Sequence, residues 1–177
     1  MKTFSIDQIL QKAIKADHDG KIQEAKDLYK EILKINSKHP DANHNLGLIE
    51  LSVNNIETAL SLFKIALEVN PDIEQFWISY IKILKKEKKF EDAEEVLKKM
   101  IIHKPNHPFT YYNLGNTQDI LGKHNLAEIN YLKAIELKPD FFEAYNSLAL
   151  LQSKLNKLNF AELNFRKSIE LKPEHIE

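Results

Sequence analysis

Apolar and polar residues return along this chain in blocks spaced 34 residues apart, as the series Ala25, Ala59, Ala93, Ala127 and Ala161 shows. Proline keeps the same interval at Pro71, Pro105, Pro139 and Pro173, and Ser37 stands where the series would place an earlier one. With the proline set at position 32, five units run 6–39, 40–73, 74–107, 108–141 and 142–175 without insertion or deletion. Position 7 holds Lys12, Leu46, Tyr80, Leu114 and Leu148, and position 24 holds Tyr29, Phe63, Leu97, Tyr131 and Phe165. Position 6 is polar throughout, as Gln11, Asn45, Ser79, Asn113 and Ser147. A repeat of this length predicts a stack of identical supersecondary units rather than one closed globule.

The small residues explain how each unit closes. Position 8 holds Ala13, Gly47, Ile81, Gly115 and Ala149, opposite the alanine at position 20. Two antiparallel helices approach closely only where neither carries a bulky side chain at the crossing. The large residue at position 24 is expected beside that crossing, against the next unit. Proline lacks an N–H and disfavours helix in the residue before it, so position 32 ends the second helix and starts the next turn. Within the units, Asp19-Gly20, Asn54-Asn55, Lys88-Lys89, Gly122-Lys123 and Asn156-Lys157 mark the inner turns, where Gly and Asn tolerate a left-handed helix end. The pattern therefore predicts ten helices of roughly 12–15 residues.

These residues resemble the tetratricopeptide repeat family. The fourth unit carries the likeness in full at Tyr111, Leu114-Gly115, Ala127, Tyr131, Ala134 and Pro139. The second carries it at Leu46-Gly47, Ala59, Phe63, Ala66 and Pro71, and the fifth at Tyr145, Leu148-Ala149, Ala161, Phe165 and Pro173. The third keeps Trp77, Ala93 and Pro105 but has Ile81 at a small position, and the first departs at Lys12 and Ser37. The resemblance implies an all-α, right-handed superhelical solenoid of five antiparallel helix pairs, a single array over residues 1–177. The stretch from Gly20 to Gly47 is similar to bacterial repeat regions that precede glycosyltransferase or sulfotransferase domains.

Composition narrows the partners. A net charge of −1 gives no overall field for nucleic acid or an anionic membrane. There is no cysteine, so no disulfide or thiol chemistry arises. No apolar run approaches membrane-spanning length, and Met1–Leu10 lacks a signal-like apolar region, so a cytoplasmic, bacterial protein is expected. No Gly-rich phosphate loop, paired-histidine helix or nucleophile elbow is present, and no cofactor or enzymatic role is expected for this chain itself. His103 and His107 are separated by Pro105, so they do not share a helix face, and no metal site is expected.

The resemblance places the first helix of each unit on a concave groove, and this supplies the candidate site. Position 5 gives His44, Ile78, Tyr112 and Asn146; position 6 gives Asn45 and Asn113; position 9 gives Leu48, Lys82 and Asn116; position 2 gives Phe109. Lys85 and Lys86 extend a basic centre with Lys82. Aromatic and aliphatic anchors beside lysines suit a peptide with one or two apolar residues and an acidic stretch. The expected function is a protein-interaction module that grips a peptide or partner domain, as the recruiting or scaffold segment of a larger protein. The alternative is self-association, a homodimer through the C-terminal end, where Phe160, Leu163, Phe165, Ile169 and Leu171 form an apolar face on the last helix.

Overall fold

The computed structural model describes residues 4–172. Among them the chain forms ten α-helices and no strand: α1 Ile6–His18, α2 Ile22–Ile35, α3 Pro40–Ser52, α4 Ile56–Val69, α5 Glu74–Lys86, α6 Phe90–His103, α7 Pro108–Ile120, α8 His124–Leu137, α9 Phe142–Lys154 and α10 Leu158–Leu171. Pro173 lies outside the described residues.

Each pair closes by the same backbone device. Gly20, Asn54, Lys88, Gly122 and Asn156, all at position 15, have φ values of 74°, 63°, 57°, 71° and 59°. The next N–H then reaches back to the carbonyl five residues earlier, as in Lys21 to Ala16, Asn55 to Glu50, Lys89 to Leu84, Lys123 to Gln118 and Lys157 to Gln152, at 2.8–2.9 Å. This satisfies carbonyls that a helix end would otherwise leave open. Helix starts are also specified locally. Ser5 and Gln8 form a reciprocal capping box on α1, and Pro40 and Pro108 occupy the first turns of α3 and α7, where no N–H is needed.

The junctions between successive pairs are tied at position 4. Asn43 donates to the Ser37 carbonyl at 3.0 Å, Trp77 to the Pro71 carbonyl at 2.7 Å and Tyr111 to the Pro105 carbonyl at 2.9 Å. Three different side chains thus perform one task, a regularity hidden from residue-type matching.

The chain divides into two compact units, one ending at Ile83 and one beginning at Leu84. The first has a core of Ile9, Ala13, Ala16, Ala25, Tyr29, Ile32, Ala42, Leu46 and Ile49. The second is built on Ala127, Tyr131, Leu148 and Leu151, and on Ala134, Phe141 and Ala144, with Tyr112 and Ile135 packed against both groups.

In both units the helix crossing is tighter than a small-residue rule alone implies. A Cβ placed on Gly47 would lie 2.7 Å from the Phe63 ring, and one on Gly115 would lie 2.7 Å from the Tyr131 ring and 3.3 Å from the Ala127 carbonyl oxygen. The aromatic at position 24 therefore covers the glycine of its own unit, rather than only filling space against the next. The third unit pairs Ile81 with Leu97 at these positions, so a larger residue at position 8 goes with a smaller one at position 24.

Candidate functional site

In the first unit, the side chains expected on the groove divide into two sets. Leu48 and Ile78 are 40% and 43% exposed, and Lys82 is exposed. His44 is not on an open surface: it is 5% exposed, sits 4.7 Å from the Phe76 ring and 5.6 Å from the Phe63 ring, and its Nε2 lies 2.9 Å from the Ser79 hydroxyl. Its Nδ1 lies 3.2 Å from Asn45 Oδ1. Burial pushes the imidazole below the usual histidine range, partly opposed by the Asn45 contact and by Asp41. Asn45 donates in turn to the Tyr29 hydroxyl at 3.2 Å. Positions 5 and 6 of α3 are thus tied into a polar chain inside the fold. The sequence reading failed at His44 because aromatic rings on both sides, supplied by α4 and α5, draw the imidazole inward.

In the second unit the equivalent positions stay nearer the surface. Tyr112 is half-buried, its ring 5.0 Å from Phe141 and 6.2 Å from Tyr131. Phe109 is 45% exposed and stands 4.7 Å from Phe141, and the Lys138 ammonium lies 4.9 Å from the Phe109 ring centre and 4.8 Å from that of Phe141. Asn113 accepts from Lys85 at 3.0 Å and donates to the Phe109 carbonyl at 2.8 Å, a bond to its own helix turn. Burial lowers the Lys85 pKa below the usual lysine range. Asn116 accepts from the Tyr131 hydroxyl at 2.8 Å. Lys86 and Asn146 are exposed.

A cavity of about 330 Å³ opens beside this group, lined by Tyr112, Phe142, Glu143, Asn146, Ser147, Ser168, Ile169 and Lys172. Its floor is fixed by the Ser168 hydroxyl, which donates to the Phe142 carbonyl at 3.0 Å, and by Lys172, whose ammonium lies 4.4 Å from the Phe142 ring centre. Tyr112 and Asn146 were expected there. Glu143 and Ser147 occupy groove positions 2 and 6, so the repeat register held the signal for them. Phe142, Ser168, Ile169 and Lys172 lie outside the inward positions of the first helices, and three of them come from the end of α10. A first-helix rule has no means of finding those three.

Helix pairs that present an aromatic-lined, partly polar cavity, without a converging catalytic set, define a helical-repeat scaffold with an open binding face. Tetratricopeptide repeat profiles match residues 108–141 and 130–161, and a PPR repeat profile matches residues 76–104, within the third unit. No curated protein sequence matches the chain. The crystal structure of MamA superposes with a TM-score of 0.80 at 22% identity, covering 92% of this chain and 95% of that one. MamA 41-end from Desulfovibrio magneticus RS-1 gives 0.79 at 19% identity, with 97% of each chain covered. YrrB, titled a TPR protein with an unusual peptide-binding site, gives 0.81 at 16% identity over 97% of this chain and 88% of its own. These matches support the tetratricopeptide repeat family, and the fold is an all-α repeat array. Among the described residues no helix is long and apolar enough to cross a membrane.

Proposed function

We propose that this chain is a protein-interaction module whose second unit grips an extended peptide on the face of α7 and α9. The observation that carries the reading is the cavity of about 330 Å³ between Tyr112, Asn146 and Lys172, with half-exposed Phe109 close to Phe141 on the same face. An apolar side chain fits against Tyr112 and Phe142, while Asn146 and Ser147 offer hydrogen bonds to a peptide backbone. Lys172, Lys138 and Lys86 favour acidic neighbours on the ligand, and Glu143 disfavours a carboxylate at its own end of the cavity. Leu48, Ile78 and Lys82 are proposed as the continuation of this surface in the first unit. The binding need involve no chemistry: a tethered ligand gains effective concentration near whatever the partner carries. The likeness of Gly20–Gly47 to regions that precede transferase domains supports a recruiting role of that kind in a bacterial, cytoplasmic setting.

The test is fluorescence anisotropy with labelled peptides carrying one aromatic or leucine residue followed by acidic residues, against scrambled and basic controls. Tyr112→Ala is expected to weaken binding about tenfold, a loss of about 1.4 kcal/mol. Asn113→Ala is expected to weaken it less, because Asn113 acts partly by holding Lys85. Equal binding of the basic control, or unchanged affinity in Tyr112→Ala, would remove α7 and α9 as the site.

A further inference from the structure

Position 21 carries a charged side chain in four of the five units, Lys26, Glu94, Glu128 and Glu162, with Leu60 in the second. Three of these are clasped by positions 11 and 16 of the following pair. Lys26 meets Glu50 at 2.8 Å, and Glu50 accepts from Asn55 at 2.7 Å. Glu94 accepts from Gln118 at 3.0 Å and from Lys123. Glu128 accepts from Gln152 at 3.1 Å and from Lys157 at 2.6 Å. The turn makes the clasp: the bond from the N–H at position 16 to the carbonyl at position 11 brings those two side chains together. The amides are themselves aimed, since Asn130 donates to Gln118 at 2.7 Å and Asn164 to Gln152 at 2.8 Å.

Glu162 is the next member of this series, on α10. Its carboxylate is met by Arg166 of its own helix at 2.6 Å, and its side chain is 62% exposed, against 5% for Glu94 and 17% for Glu128. The residues around it repeat an interface already formed elsewhere in the unit. Ile169 takes the place of Ile135, which packs beside Phe141, Ala144, Leu148 and Leu151, yet Ile169 is 49% exposed. Phe165 takes the place of buried Tyr131 and is only half-buried.

We propose that the α10 face formed by Glu162, Phe165 and Ile169 docks one further helical hairpin of the same pattern, carried by a partner chain. Its chemistry is set by what α9 presents to α8. Leucine-sized side chains stand four residues and one residue before a glutamine, as Leu148 and Leu151 stand before Gln152. A lysine follows five residues later across a left-handed turn, as Lys157 does. A second copy of this chain does not fit in that way. Its first helix carries Lys12, Lys15 and Ala16 where Leu148, Leu151 and Gln152 stand, and seating two lysines against Ile169 would bury charge without a partner.

The experiment titrates the whole chain with a labelled synthetic peptide of residues 142–172, which carries Leu148, Leu151, Gln152 and Lys157. Saturable binding is expected, weakened about tenfold by Glu162→Lys in the whole chain. A peptide bearing Lys157→Glu should recover affinity for the Glu162→Lys chain. Glu162 is exposed and lies outside the cavity below Tyr112, so the variant should melt like the parent and keep its groove ligand. Absence of saturable binding, or an affinity indifferent to Glu162→Lys, would overturn the proposal. So would a concentration-dependent mass of the chain alone that Glu162→Lys reduces to monomer, since the face would then receive a second copy.

Discussion

Helices α3 and α7 occupy the same place in their repeats and share the same glycine crossing, yet they use positions 5 and 6 in opposite ways. In α3, His44 is buried against Phe63 and Phe76 and bonded to Ser79, with Asn45 tied to Tyr29. In α7, Tyr112 leans on Phe141 but keeps an edge on the cavity, and Asn113 reaches the surface with Lys85. The difference lies in what surrounds the helix. Ser79 gives the imidazole a polar partner inside the first unit, whereas the Tyr112 ring is wider and meets Phe141 before it can sink. One repeat pattern therefore yields a structural polar chain in one unit and a candidate binding face in the other.

The sharpest way to break that comparison is to truncate both side chains. His44→Ala removes a buried ring and leaves the Ser79 hydroxyl without its partner, so it should lower stability by about 2–4 kcal/mol while sparing peptide binding. Tyr112→Ala should lower stability by about 1–2 kcal/mol and carry most of the loss in binding. Urea unfolding of both variants, paired with anisotropy, separates the two roles; a binding defect in His44→Ala with an intact fold would place α3 on the ligand surface after all. Acid gives an independent reading. The His44 pKa is lowered in the folded chain, so below the ordinary value of 6.5 the unfolded chain binds the extra proton more readily. The contribution of neutral His44 is present above that pH and declines as pH falls through it towards the folded value. His44→Gln should flatten the stability profile across that interval. Glu94 acts lower down. Burial raises its pKa, but the bonds from Lys123, Gln118 and Lys98 outweigh this and hold it at about 2. Its contribution is present above the ordinary 4.5 and is lost between there and about 2.

A second variant asks whether the scaffold beneath α3 and α7 is the same. Ala127→Leu places a branched side chain where the Gly115 crossing leaves 3.3 Å, and should cost about 1–3 kcal/mol. Ala59→Leu at the Gly47 crossing should cost about as much, because Phe63 covers Gly47 as Tyr131 covers Gly115. Equal losses in thermal unfolding locate the difference between the helices in their surface positions alone. Unequal losses would mean that the crossings differ as well.

The helix pairs were legible because they rest on residues with one physical role each: a small residue at the crossing, a breaker at the turn, a ring at position 24. The site was less legible because its residues do two things. Tyr112 was found by register, but His44, at the same register, turns inward for reasons set by Phe63, Phe76 and Ser79 together. Lys172 and Ile169 enter the cavity from the end of α10, which no groove rule includes. The clasp at positions 11, 16 and 21 escaped notice because Lys26–Glu50 reverses the charge order of Glu128–Lys157, so no single residue type recurs.

The smallest effect concerns the unit between α3 and α7. Its inner turn holds Lys88 at φ 57°, where the turn after α3 has Asn54 and the turn after α7 has Gly122. A left-handed conformation costs a residue with a Cβ about 1–2 kcal/mol, and glycine gives back part of that through its greater freedom when unfolded. Lys88→Gly should therefore stabilise the chain by about 0.5–1 kcal/mol. The converse change isolates the backbone term: a Cβ on Gly122 meets nothing within 4 Å, so Gly122→Ala should lose about 1 kcal/mol through conformation alone. Denaturant midpoints of the two variants should move in opposite directions with unchanged slopes. If Lys88→Gly is neutral or destabilising while Gly122→Ala behaves as expected, the Lys88 side chain itself stabilises its turn. The middle unit would then depart from its neighbours in its turn as well as at the Ile81 crossing.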